Sequence, residues 1–241
     1  MINGLTNHLL GKGAGSGGGS GSLIVPPKGW LDLSTSGPTL SVSPSNAGYH
    51  DYSSDIALGS KNAGTVVTRN SDGIYISAGV QDSSGILIHK LACSSELDPV
   101  FHFVFQRKNA QNSMRLCVAD ETISDNAVAN YENCHIGFTS DAGSNAYMVY
   151  RGGFASLAGV AWVEGAFYRI EFEPSMYGSY SLYRLASNDP SDWDSGTLIS
   201  TGTFNKNIRL AGSVLTPFLP NRTKNIDAVV SAIKVVPRRL Q

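Results

Sequence analysis

From about residue 39 to residue 236 this chain reads as short apolar-rich runs, some of them alternating apolar and polar residues at every second position, broken by turn-forming clusters. A period of two places successive side chains on opposite faces of an extended backbone, so it selects strands over helices. The candidate strands are 39–43, 65–69, 74–78, 86–90, 100–106, 114–119, 134–138, 146–151, 167–173, 179–185, 197–200 and 228–236. Between them lie NSDG, QDSSG, SDAGSN, SNDPSDWDSG and LPNRTKN, sets of residues that favour turns. Strands at about 8–12-residue spacing with such punctuation predict a sandwich or barrel.

Two runs sharpen this. In FYRIEFE, Tyr168, Ile170 and Phe172 share one face while Arg169, Glu171 and Glu173 share the other, the pattern of a half-solvated strand. In VFHFVFQ, Phe101, Phe103 and Phe105 oppose Val100, His102 and Val104, so both faces are largely apolar. That strand is expected at the centre of its sheet, with something covering each side. The fold class is therefore all-β, a two-sheet jelly-roll sandwich over residues 30–241, behind an extended N-terminal leader. At 41% hydrophobic residues the chain can bury a substantial core.

Charge excludes several functions. Only 15% of residues are charged and the net charge is −1, which leaves no electrostatic footprint for nucleic acid or an anionic membrane. Lys234, Arg238 and Arg239 are too few to change this. No apolar run reaches 18 residues, so no membrane insertion is expected. The N-terminus has no basic segment and its apolar residues stop at Leu10, so no secretory signal peptide is expected. Cys93, Cys117 and Cys134 lack CxxC spacing and read as reduced, mostly buried thiols.

The leader differs from the rest. Seven of the 26 glycines fall between Gly11 and Gly21, which marks a linker. Ahead of it Ile2, Leu5, Leu9 and Leu10 lie at helical spacing on one face of a short helix, with Gly11 suited to its C-terminal cap. So short a helix gains order by docking its apolar face on a partner. Residues 1–10 are read as a docking segment, 11–29 as a Gly/Ser/Pro linker and 30–241 as the sandwich. The glycine-rich tether of residues 11–22 spans about 20 Å as a free coil and about 40 Å when stretched.

Catalytic motifs are missing. GxGxxG occurs only inside the glycine string, GxSxG does not occur, and the five histidines show no paired-ligand spacing. Glu171 and Glu173 share a strand face as glycosidase carboxylates do, but no third carboxylate follows, and Arg169 should hold Glu171 ionised. The reading is non-enzymatic. No cofactor is expected apart from a Ca2+ candidate, Asp189, Asp192 and Asp194 with the turn residue Gly196; turn capping by aspartate explains the same cluster. Asp120, Glu121 and Asp125 form a looser group. Trp162, Trp193 and Tyr177 lie in or beside expected loops, where rings either stack on sugars or plug the ends of a sandwich.

At FYRIEFE, SYSLYRL and AVVSAIKVV the chain resembles the concanavalin A-like (laminin-G-like) sandwiches. Trp162-Val163-Glu164-Gly165-Ala166-Phe167-Tyr168-Arg169 matches their aromatic turn before a hairpin, and Ile226-Asp227-Ala228-Val229 their closing strand. The resemblance spans roughly residues 30–236. It implies about a dozen strands and a frequent role in carbohydrate or protein binding. Leader and sandwich together resemble tailed-bacteriophage virion proteins of the fibre, spike and decoration type. That resemblance implies docking on other virion proteins through Ile2, Leu5, Leu9 and Leu10, a homotrimer, a host-surface glycan as a target, and a virion location after assembly in the host cytoplasm. A lectin-like carbohydrate-binding module and a sandwich-fold glycoside hydrolase are the alternatives.

Overall fold

The computed structural model describes residues 23–37, 42–44, 49–52, 65–78, 84–108, 114–120, 136–140, 146–150, 153–157, 160, 162–174, 178–203, 213–221 and 226–240. The first strands are β1 (Leu31–Asp32), β2 (Val42–Pro44), β3 (Tyr49–Tyr52), β4 (Thr65–Asn70), β5 (Gly73–Ala78) and β6 (Ser84–Leu87). The middle of the chain supplies β7 (Cys93–Ser94), β8 (Pro99–Arg107), β9 (Met114–Asp120), β10 (Ile136–Ser140), β11 (Ala146–Tyr150) and β12 (Gly153–Leu157). The last are β13 (Phe167–Glu173), β14 (Ser179–Arg184), β15 (Thr197–Thr203), β16 (Val214–Asn221) and β17 (Ile226–Pro237).

They form two sheets. The front sheet runs β15-β14-β13-β8-β17-β5-β4 with β1 beside β17, and the back sheet runs β12-β11-β10-β9-β16-β6-β3-β2 with β7 beside β16. Neighbours are antiparallel except β3 and β6. The chain passes from the front centre to the back centre between β8 and β9, and returns between β16 and β17. This is the expected all-β two-sheet jelly-roll sandwich.

The core lies between the sheets. Phe101, Phe103, Phe105, Tyr168, Ile170 and Phe172 from the front meet Leu116, Val118, Ile136, Phe138 and Met148 from the back. Phe103 meets Phe172 edge-on at 5.6 Å, while Phe105 stacks on Tyr168 at 5.6 Å and lies 5.9 Å from Phe138. These are the spacings at which ring quadrupoles attract.

Several strands coincide with the expected runs, and the alternating FYRIEFE is β13 from end to end. Two places differ. The run at 86–90 stops as a strand at Leu87, and His89–Leu91 forms a 3-10 turn closed by Leu91 N–H on the Ile88 carbonyl at 2.9 Å. β16 lies outside the expected runs and ends inside the expected turn LPNRTKN, and it carries Pro217 and Pro220, each of which removes a ladder donor. The backbone accommodates both. The Pro217 carbonyl accepts from Ile88 N–H at 3.0 Å, so its nitrogen faces the β6 side just beyond Leu87, where that ladder has ended. Pro220 lies past Phe218, the last residue paired with β9.

β17 carries a bulge at Ser231, because Val230 faces Phe105 and Ala232 faces Val104. Beyond it β5 no longer borders β17, and β1 takes its place with Leu31 opposite Ile233. Gly73, at φ +139°, is fixed there: a Cβ would stand 2.2 Å from the Val230 carbonyl oxygen.

Replacing Phe103 (0% exposed) with Ala should cost about 3–5 kcal/mol, read as a lower denaturant midpoint with unchanged slope.

Candidate functional site

The outer face of the front sheet is apolar at its centre. Val104 and Ala232 point away from the main core yet are fully buried, in a second cluster with Leu185 and Trp193, flanked by Trp30 and Phe167. The cover comes from two distant pieces of chain, the N-terminal segment that carries Trp30 and the loop between β14 and β15 that carries Trp193.

That loop is built by short-range polar contacts. The Asp189 carboxylate caps the turn Pro190–Asp192, accepting from Ser191 N–H at 2.8 Å and from the Ser191 hydroxyl at 2.6 Å. The Ser187 hydroxyl donates to Asp192 at 2.7 Å, and the Trp193 indole N–H donates to the Asn188 carbonyl at 3.2 Å. Such local bonds are why Ser, Asp and Asn favour turns. They hold Trp193 rigidly over the sheet.

Around the apolar patch runs a ring of charged and aromatic groups, here termed the clasp. The Trp30 indole N–H donates to Asp194 Oδ2 at 3.0 Å, and Asp194 Oδ1 accepts from the Lys234 ammonium. Lys234 Nζ stands 4.5 Å from the Trp30 ring centre, and Trp30 meets Trp193 edge-on at 5.6 Å and His102 at 6.0 Å. Arg169 is only 6% exposed. It donates to the Trp193 carbonyl at 2.8 Å, pairs with Glu171 Oε1 at 3.0 Å and lies over the Tyr183 ring at 4.2 Å. His102 Nδ1 stands 3.3 Å from the same Glu171 oxygen.

Electrostatics fix the carboxylates as anions. Burial pushes the Glu171 pKa up, but the contact with His102 and the charges of His102, Arg169 and Lys234 outweigh it and hold it below the ordinary value. For Asp194 burial is likewise outweighed by the bonds from Lys234 and Trp30. At the end of the sheet Glu173 pairs with Arg238 at 3.0 Å, and Arg238 also reaches Asp98 at 2.9 Å. Glu171 and Glu173 share a face, as their spacing requires, yet each is engaged by its own arginine.

The clasp is one of three ties that bind residues 23–37 to the sandwich. Ile24 bonds Ser94 in both directions, accepting from its N–H at 2.9 Å and donating to its hydroxyl at 2.8 Å. Trp30 is the second tie. Leu31 and Leu33 then enter the core, with Leu33 N–H on the Ser231 carbonyl at 2.8 Å and Arg69 Nε on the Leu33 carbonyl at 2.9 Å. The segment is a strap laid over the domain, and it includes the short strand β1.

The residues singled out in the sequence are not brought together. Ile2, Leu5, Leu9, Leu10 and Tyr177 lie outside the described residues, as do Cys134, Glu121 and Asp125. Trp193 is 4% exposed, with its ring spent on the outer cluster, so it offers no open face for a sugar to stack on. Trp162 is half-buried at the rim of the main core, meeting Tyr168 at 4.9 Å, Phe138 at 5.7 Å and Phe105 at 6.4 Å, which is the plug arrangement. Asp189, Asp192 and Asp194 turn to three different partners, and among the described residues no three His, Cys, Asp or Glu side chains gather to hold a metal ion. Cys93 and Cys117 are free and buried, and burial pushes the Cys93 thiol up to about 12. Trp30, His102 and Lys234 were not singled out as site residues, and no local pattern marks them.

No family model matches the chain and no curated protein matches it. Solved structures are similar in fold at low identity. The CBM2 module of the evolved Dit of Lactobacillus casei BL23 phage J-1 is 11% identical, over 88% of this chain and 96% of that one, at a TM-score of 0.46. A protein of unknown function from Shewanella oneidensis MR-1 is 15% identical over 71% and 72%, at 0.42. The galectin LEC-6 of Caenorhabditis elegans is 10% identical over 58% and 82%, at 0.34.

Trp30→Ala should lower stability by roughly 1–3 kcal/mol and expose Trp193, seen as a red-shifted tryptophan emission. The folded pKa values of Glu171 and Asp194 lie below their unfolded ones. The clasp therefore stabilises the fold above the ordinary carboxylate range and loses that contribution as pH falls through the folded values. Melting temperature against pH should fall less steeply on the acid side in Glu171→Gln than in the wild type.

Proposed function

We propose that the chain is a non-enzymatic virion structural protein of the tailed-bacteriophage type, anchored by its N-terminal segment and displaying the sandwich from a tether. Ile2, Leu5, Leu9 and Leu10 form the docking face toward another virion protein, and residues 11–22 span the gap. The observation that carries this reading is the strap. A tether transmits position or load only if its domain end is fixed, and Ile24, Trp30 and Leu33 fix it at three successive points.

The same geometry supports the non-enzymatic half of the reading. Retaining or inverting hydrolysis needs one carboxyl that keeps its proton and a partner free to act on the sugar. Glu171 is held ionised by His102, Arg169 and Lys234, and Glu173 is engaged by Arg238.

Deleting residues 1–22 should leave the melting temperature of the sandwich unchanged while the protein disappears from assembled particles. Normal incorporation of the truncated chain would refute the anchoring role. Glycan arrays probed with the full chain separate the rival: saturable binding abolished by Trp162→Ala would make the protein a carbohydrate-binding module instead.

A further inference from the structure

Two of the three ties that hold residues 23–37 to the sandwich carry no charge. Ile24 is bonded to Ser94, and Leu31 and Leu33 lie in the main core. The clasp between them depends on charge. Lys234 is its enclosed member, with a side chain 16% exposed against 66% for Asp194. The Trp30 ring lies over the Lys234 ammonium, and the Trp30 indole N–H donates to the same carboxylate that pairs with it. One aspartate thus holds both the cation and its cover.

Among the described residues, few charged groups face the two clasp carboxylates. Asp194, on the loop, faces Lys234 of β17 and Arg169 of β13. Glu171, on β13, faces His102 of β8, Arg169 and Lys234. From β14 the uncharged Ser181 stands opposite Glu171, and from the strap only the uncharged Trp30 reaches either carboxylate. Two anions therefore balance Lys234 and Arg169. Acid removes both anions and no cation, and His102 adds a further positive charge once its ring is protonated. A covered cation without its counter-ion is costly, and lifting the cover returns it to water. Both carboxylates are held below their ordinary values, so the loss comes below the usual carboxylate range of about 4. The cover has room to lift: Gly29, beside Trp30, is exposed at φ +88°, with nothing within 4 Å of where a Cβ would stand.

We propose that the clasp is an acid-sensitive latch. Protonation of Asp194 and Glu171 swings Trp30 off the sheet, between charge-free anchors at Ile24 and Leu31 that stay closed, and bares part of the apolar strip at Val104 and Ala232. The inference goes beyond the anchoring role and does not depend on it.

The chain has three tryptophans, so the indole N–H signals of the full chain in nuclear magnetic resonance, assigned by single Trp→Phe variants, test the latch over a pH series. The Trp30 signal should move to a solvent-exposed position in acid while the Trp162 signal, at the rim of the main core, and the far-ultraviolet circular dichroism stay native. Asp194→Asn keeps an oxygen for the indole but loses the charge, and should populate the open position several-fold more than the wild type at neutral pH. Asp194→Glu, which keeps the charge, should behave as the wild type does. Loss of the Trp30 and Trp162 signals together, as one global unfolding, would overturn the proposal. So would an Asp194→Asn variant that stays closed and responds to acid as the wild type does.

Discussion

A strand that is apolar on both faces cannot border water on either side, and β8 is such a strand. Its inward residues Phe101, Phe103 and Phe105 are met by the back sheet, as in any two-layer sandwich. Its outward Val104, next to Ala232 of β17, has no second sheet to face among the described residues. The molecule covers that strip with Trp193 from a loop and Trp30 from the N-terminal segment. Much else on the front of the protein follows from this one requirement.

Charged groups follow first. Covering the strip places large rings over the outer face, and the polar residues of β8, β13 and β17 that share the face are drawn under their rim. Arg169 and Glu171 lie beneath Trp193, and His102 and Lys234 beneath Trp30. Partly buried charges are tolerable only when paired. Arg169 is paired with Glu171, with backbone carbonyls and with the Tyr183 ring, and Lys234 with Asp194 and the Trp30 ring. A carboxylate arrangement that resembles catalytic spacing in the sequence is thus a device that lets loop and strap sit on the sheet.

How much of this the sequence discloses depends on the range of the interaction. β13 is legible because alternation is local, and the demand for a cover on β8 is legible because seven consecutive residues state it. The identity of the cover is not. Trp30 and Asp194 are 164 residues apart, and nothing near either marks the other. Trp193 reads as an exposed ring because aspartates and serines surround it, yet those residues bond one another and leave the indole free to turn inward. β16 is hidden by the opposite error. Proline forbids a donor, but only on the side its nitrogen faces, and on that side Pro217 falls in the gap between the β6 and β7 ladders.

The strap connects these points to function. Residues that precede a domain are ordinarily its least ordered part unless something ties them down. Here the segment just after the glycine-rich stretch carries two core residues, a clasp tryptophan and a doubly bonded Ile24. The segment also adds Trp30 to the cover of β8, beside Trp193, Leu185 and Phe167, so pulling the strap away removes part of the cover over Val104 and Ala232. On the proposed anchoring, attachment and domain stability would be coupled, because a pull arriving at residue 23 meets Ile24, the clasp and the core residues Leu31 and Leu33 in turn.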